Sequence, residues 1–536
     1  MLLTLSCAGA DPSSAQSSKK PISPGLPIPY PTDVITYHYN VFRQGQTLQE
    51  TTLTPSNVNS TNFGKVGFYA VDGKVDAQPL YINKQFINGS LNNTLYVVTE
   101  NDSVYAFSAS NGRQFWHVSV LGSGETPSDD HGCSQISPQI GITNTPVIDK
   151  GAANGDGAMY FVAMSKDSSS HYHQRLHALN LRTGAELSGS PVEIAATYPG
   201  TGDGSQGGHV IFDPSKYAER SALLEFGNTL YITFTSHCDS RPYTGWVMAY
   251  NSRTLAQTSV INITPNGNEG AVWMAGSGLA ADSTGNIYLL AGNGTFDTTL
   301  NAQGFPINGD YGNGFVKLST TGGTLAVKDY FNMFNTVQES NADTDLGSGG
   351  AIILPDVTDN GGGVHHLAVG AGKDTNIYVV NRDNMGKWNS SNNNNAYQVL
   401  NGVLPGGVWS KPSYYNNTVY YGGVSDHLKA FGISNAKLST SPTSQSSNTF
   451  PYPGTFPLIS ANGSSNGIVW AVSNNNPAVL YAYDARNLAT QLYNSNQASG
   501  GRDQFGPGNK FITPIVANGQ VFVGTQTGVA VFGLLH

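Results

Sequence analysis

The residues able to do chemistry in this chain are few and widely spaced. His171, His173 and His177 alternate over a short span. Three imidazoles at that spacing could hold a transition metal, but alternation on a strand or insert is the better account of them. Lys373 follows Gly370-Ala371-Gly372, which invites a phosphate-loop reading. The spacing does not match Gly-x-x-x-x-Gly-Lys-Ser/Thr, and a strand-like text follows instead of a helix, so that reading fails. Asp343 and Asp345 sit two apart and suit either a loop cap or acid–base work. Asn293-Gly294 is turn chemistry by type. Trp273, set among small residues, suits a core or a channel wall. Cys133 and Cys238 suit either one disulfide, as in an oxidising compartment, or two buried thiols. No nucleophile–base pair stands out, so a hydrolase or lyase working in a central funnel has no motif behind it.

These residues hang between the copies of a repeat. The phrase apolar–x–small–aromatic or aliphatic recurs at Val104-Tyr105-Ala106-Phe107, Leu176-His177-Ala178-Leu179, Val247-Met248-Ala249-Tyr250, Leu428-Lys429-Ala430-Phe431 and Leu480-Tyr481-Ala482-Tyr483. Weaker copies are Phe315-Val316-Lys317-Leu318, Ile377-Tyr378-Val379-Val380 and Val529-Ala530-Val531-Phe532. The step shrinks from 72 residues early in the chain to 49 at its end. A strand precedes each phrase, often after a proline as at Thr145-Pro146-Val147-Ile148. Another follows a Gly or Asn turn, as in Arg182-Thr183-Gly184-Ala185-Glu186-Leu187. Repeats of four short antiparallel strands make the blades of a propeller. The expected fold is therefore all-β: one eight-bladed β-propeller over residues 33–536. The last repeat has three strands of its own. Its fourth is expected from the N-terminus, at Gly67-Phe68-Tyr69-Ala70-Val71 or at Ile35-Thr36-Tyr37, which would leave no open edge. Almost no helix is expected. Long inserts are expected at 165–174, 196–215, 296–312 and 389–396, and inserted loops usually build a binding surface.

Residues 1–32 read as a signal-like leader followed by a Pro/Ser-rich arm. Leu5-Ser6-Cys7 resembles a lipoprotein box, so a lipid anchor at Cys7 is one expectation and simple secretion the other. No run approaches the about 20 apolar residues of a membrane span. Charged residues make up only 11% of the 536 and the net charge is −9. Without clustered Lys and Arg to neutralise phosphates, nucleic-acid binding is excluded as an expectation.

The text from Val104 to Trp116, and the count of eight repeats, resemble the pyrroloquinoline quinone (PQQ) dehydrogenases. Four later stretches resemble that family's site segments, in the family's order. In 267–278, Trp273 matches the flat floor beneath the quinone. In 290–295, Asn293 matches a metal ligand. In 343–350, Asp345 matches the catalytic acid residue, with Asp343 as the alternative. In 371–382, Lys373 matches the group that contacts the quinone oxygens. The resemblance therefore implies PQQ with calcium or a lanthanide.

Departures from the pattern are equally specific. The family's adjacent cysteines are replaced by Gly132-Cys133-Ser134, so a vicinal ring cannot form; a Cys133–Cys238 disulfide would take roughly its place. The metal-ligand Glu is missing, and Asp239 could serve only from a shorter side chain, one residue out of register. No haem-attachment Cys-x-x-Cys-His occurs. On the broken site, the expected function is a secreted or surface-attached, non-catalytic propeller that binds a protein partner or self-assembles through a face or the arm. The competing expectation is a PQQ- and metal-dependent alcohol or sugar oxidoreductase with an altered site.

Overall fold

The computed structural model describes residues 33–535. The leader, the arm and Cys7 lie outside the described residues. The chain closes into an eight-bladed propeller of small antiparallel sheets. Blade 1 runs Leu80–Ile87, Ser90–Val98, Ser103–Ser108 and Gln114–Ser119, each strand paired to the next. The first strands of blades 2 to 8 are Val147–Asp149, Leu224–Phe226, Ala280–Ala281, Ile352–Ile353, Ser413–Tyr415, Leu458–Asn462 and Ile515–Ala517.

Why the repeat phrase reads apolar at nearly every position is visible in its packing. Successive residues of a strand point to opposite faces, and a propeller blade is covered on both. Val104 and Ala106 pack against blade 2 with Met159 and Phe161. Tyr105 and Phe107 pack the other way, with Val529 and Val531 of blade 8.

Closure follows the first of the two expected routes. Phe63–Ala70 pairs antiparallel with Gly528–Leu534, Phe68 opposite Ala530, so the N-terminus supplies the last blade's fourth strand. Two local expectations are corrected. The text 182–187 does not form the fourth strand of blade 2; it gives one isolated bridge, Leu179 to Glu186, and Val192–Glu193 pairs there instead. Half of the insert at 165–174 is strand, because Ala158–Lys166 and Tyr172–Asn180 extend as one long hairpin. Among the described residues helix is nearly absent: one α-helix, Thr336–Asn341, and short 3₁₀ turns.

Ile35-Thr36-Tyr37, the other candidate for closure, does different work. Residues 34–46 form a hub that touches the first strand, or the residue just before it, of all eight blades. Val34 exchanges backbone hydrogen bonds with Tyr81, Ile35 accepts from Ile148, and Arg43 donates to the Leu223 carbonyl. Val41 accepts from Ala281, Phe42 from Ile353, and Gln44 from Tyr414. Gln46 pairs in parallel with Ile459, and the Tyr39 hydroxyl donates to the Val516 carbonyl at 2.9 Å. A ring of eight blades leaves an axial channel, and here the chain's own N-terminal segment fills it along the first strands.

Candidate active site

Next to the hub lies a cavity of about 360 Å³. That falls within the about 300–1,000 Å³ range of small-molecule sites. Its walls come from two slots that the repeat offers again and again. One slot is the segment entering a first strand. It supplies Arg220 (blade 3), Trp273 (blade 4), Asp345 (blade 5), Trp409 (blade 6), Tyr452 (blade 7) and Phe511 (blade 8). The other is the segment leaving a second strand, which supplies Cys238 and Asp239, Asn293, and Lys373. Every site residue named from the sequence (Trp273, Asn293, Asp343, Asp345, Lys373 and Asp239) lines this one cavity, and so do both cysteines.

The most closely coupled charged pair on the cavity wall is Asp345 with Lys373. Gly372 lets two segments of blade 5 close on each other: a Cβ there would stand 2.4 Å from Leu346 Cα. The Lys373 amide donates to the Asp345 carbonyl at 2.9 Å, and the Leu346 amide donates to Asn313 Oδ1 at 2.7 Å. Lys373 Nζ lies 2.8 Å from Asp345 Oδ1 and also pairs with Asp343 Oδ1. The ammonium thus partners Asp345 Oδ1, while Asp345 Oδ2, also buried, has no hydrogen-bond donor. Burial pushes the Asp345 carboxyl up to about 6 even though the Lys373 ammonium pulls it down. Burial opposes the Lys373 charge, but Asp345 and Asp343 outweigh it, and the ammonium is held above its ordinary range. Asp345 precedes the 3₁₀ turn Leu346–Ser348 without capping it through its side chain.

Asn293 donates from Nδ2 to Asp343 Oδ1 at 2.7 Å, and its buried Oδ1 has no partner. Gly292 marks how tightly the group is gathered. A Cβ at that position would lie 3.5 Å from both Asp345 Oδ2 and Trp273 Nε1. Asp239 is exposed, and its Oδ1 already accepts from the Tyr243 hydroxyl at 2.8 Å and from Ser236 Oγ at 3.1 Å. Among the described residues no group of three or more His, Cys, Asp or Glu is arranged to hold a metal by itself.

A run of edge-on rings forms the apolar wall. Trp273 meets Phe511 at 6.3 Å and 84°, Phe511 meets Tyr452 at 6.4 Å and 81°, and Tyr452 meets Trp409 at 5.7 Å and 74°. The Lys373 ammonium stands 5.8 Å over the Trp409 ring. Cys133 and Cys238 are joined, with Cα atoms 5.6 Å apart, and the bridge borders the cavity. The histidines are settled differently. His171 pairs with Asp167, His173 with Glu193, and His177 with Glu186 at 2.6 Å, each on its own acid.

No family model and no curated protein matches this sequence. Solved structures do match. Quinohemoprotein alcohol dehydrogenase from Comamonas testosteroni superposes with a TM-score of 0.60 at 14% identity, over 94% of this chain and 80% of that one. A europium-containing methanol dehydrogenase superposes with a TM-score of 0.62 at 12% identity, over 94% of this chain and 98% of that one. This chain has the fold of the quinoprotein dehydrogenases. At such identities the likeness speaks for the ring alone, so the site of this quinoprotein-like propeller has to be judged on its own residues.

Four cavity residues carry no sequence motif: Arg220, Trp409, Tyr452 and Phe511. The signal that finds them is their place in the repeat, since each lies in the short segment entering a first strand.

Proposed function

We propose that this protein is an oxidoreductase that uses a planar quinone and a hard metal ion to oxidise an alcohol or sugar hydroxyl, with Asp345 as general base. The observation that carries this reading is the convergence of Trp273, Asn293, Asp345 and Lys373 on one cavity from four separate stretches of chain. A purely scaffolding ring has no use for a buried amide oxygen left without a partner, as Asn293 Oδ1 is, because such an atom costs stability.

The residues fit the group that the resemblance implies, in part. Asn293 Oδ1 is an orphaned oxygen, and Asp345 and Asp239 add carboxylates. Calcium takes about six to eight oxygens, so quinone and water oxygens would have to complete the set. Trp273 offers a flat face, and the remaining rings keep water out. When bound, the quinone supplies the two-electron acceptor, with the metal as Lewis acid. The protein's own part is proton handling. Asp345, ionised above about 6, takes the substrate hydroxyl proton. Lys373 stays charged beside it and stabilises negative charge on a neighbouring oxygen. Asp343 holds Lys373 in place and is itself held by Asn293.

The disulfide supports placing the protein outside a reducing cytosol. No described helix is long and apolar enough to cross a membrane.

The test is to mix purified protein with PQQ and calcium or a lanthanide, then follow quinone absorbance and dye reduction with simple alcohols. Stoichiometric uptake with turnover is expected. No uptake at micromolar quinone would sink the enzyme reading and leave the binding or assembly role as the better account.

A further inference from the structure

Two histidines flank the disulfide, one beside each cysteine. His131 stands two residues before Cys133, and His237 immediately before Cys238. Their rings stack at 3.9 Å and 11°. Each cysteine sits on a tight turn: Cys133 N donates to the Asp130 carbonyl at 2.8 Å, and Ser240 N to the His237 carbonyl at 3.1 Å. His131, Cys238 and Asp239 hold φ of 51°, 49° and 54°, left-handed backbone that non-glycine residues adopt rarely. His237 is 6% exposed and its Nε2 has no hydrogen-bond partner, while its other ring nitrogen is held by the Tyr217 carbonyl. His131 Nε2 lies 3.1 Å from Ser128 Oγ, and its ring packs on Tyr172 at 4.5 Å. One nitrogen anchored and the other left open is the usual state of an imidazole that ligates a metal. With the bridge closed the two sulfurs are spent on each other, and no group of three donors exists among the described residues.

We propose that reduction of the Cys133–Cys238 bridge creates a zinc site built from Cys133, Cys238, His131 and His237. Two thiolates and two imidazoles are a donor set of tetrahedral zinc. Cys238 is exposed, so an incoming thiolate can reach its sulfur. The reductant is a dithiol. Its first sulfur attacks Cys238 Sγ and expels Cys133 as a thiolate; its second displaces Cys238 and leaves the dithiol as its own disulfide. Zinc takes both cysteines as thiolates and releases their protons. Zinc–sulfur bonds of about 2.3 Å place two sulfurs about 3.8 Å apart on a tetrahedral ion. Cα atoms already 5.6 Å apart allow that by side-chain rotation, and the stacked rings must swing from parallel to converging. This site stands apart from the proposed function in its donors, which are soft where the quinone's metal takes oxygens. It borders the same cavity, so the wall gains a second state set by dithiol and zinc supply.

The test uses the full chain carrying Cys7→Ser, so that only this pair of thiols is read. The bridge is opened with a phosphine, cobalt(II) is added as the probe, and zinc is then titrated in. The reduced protein should take up cobalt with the strong visible bands of a tetrahedral ion and a thiolate charge-transfer band in the near ultraviolet, and zinc should bleach both. The oxidised protein should show neither. Cobalt held by oxygens at Asp345 and Asn293 would appear in both states and without the thiolate band. His131→Ala and His237→Ala should each weaken cobalt binding by about tenfold or more, since even an outer-shell partner is worth that much. Cys133→Ser should remove most of the thiolate band. Circular dichroism melts confirm that the reduced chain and each variant keep the ring. Absence of the bands in the reduced wild type overturns the proposal, whether the ring holds or is lost on reduction. Cobalt binding that both histidine substitutions leave unchanged overturns it as well. None of these results touches the quinone reading, which PQQ uptake by the oxidised protein tests separately.

Discussion

Two arginines, one in the hub and one on the cavity wall, are both buried, yet their surroundings differ in kind. Arg43, in the hub, is 0% exposed and fully occupied. Its Nε donates to the Leu279 carbonyl at 2.7 Å, and its two terminal nitrogens reach Thr36 Oγ1, the Tyr37 carbonyl and the Leu223 carbonyl at 2.7, 2.8 and 2.9 Å. Those acceptors belong to blades 3 and 4 and to the hub itself. Arg220, facing the cavity, has an aromatic ring and no acceptor. Burial lowers both guanidinium groups from their ordinary range, and Arg43, at about 9, stays a cation at neutral pH. One cation is complete within the fold, and the other has only an aromatic face beside it. The amides around them show a similar contrast: Gln44 in the hub donates to the Ile353 carbonyl, whereas Asn293 at the cavity holds out an oxygen without a partner.

The largest effect that would break this comparison lies in the hub. Arg43→Met removes the donor to three backbone carbonyls that no water can easily reach, so it should cost about 3–5 kcal/mol of stability or abolish folding. Chemical denaturation of the full chain measures it, and a loss under about 1 kcal/mol would show that the hub arginine does not pin the blades.

On the cavity side, Asp345→Asn should lower kcat of the quinone-loaded protein by about 10²–10⁴, the range of a general base. The same substitution should act oppositely on the unloaded fold. The Asp345 carboxyl is raised from 3.8 to about 6, so the folded chain binds this proton more tightly than the unfolded one. Stability therefore falls as pH rises between those values, and the penalty stays in full above about 6. Asn carries no such penalty. The variant should match the wild type near pH 4 and exceed it at pH 7, as read from denaturation midpoints at the two pH values. A variant less stable than wild type at pH 7 would mean that the Lys373 pair outweighs desolvation, and Asp345 would then belong with the satisfied groups.

How much of this was legible in the sequence differs by level. The blades were, because a two-sided sheet writes its packing into nearly every residue, as Val104 to Phe107 do. The cavity residues with polar signatures were also legible: Trp273, Asn293, Asp345 and Lys373 sit at fixed places in their repeats. The hub was not. Its bonds run from irregular backbone to first strands, a pattern with no periodicity, and Ile35-Thr36-Tyr37 reads as one more strand. Arg220 was not legible either. In the text Ala218-Glu219-Arg220-Ser221 it is one charged residue among others, and only its burial and lack of an acceptor set it apart.

The smallest effect is the sharpest test of the difference between the two arginines. If Arg220 is unpaired in the unloaded fold, replacing it by an apolar residue of similar reach gives up little. Arg220→Met loses the stacking on Phe511, worth about 0.5–2 kcal/mol, and regains the desolvation cost of a lone cation, which is at least as large. The unloaded variant should therefore unfold within about 1 kcal/mol of wild type, or later than it. The same denaturation series that records the Arg43→Met loss reads this out. A drop approaching that of Arg43→Met would show that Arg220 already has an acceptor in the fold, and the two arginines would then be the same kind of residue.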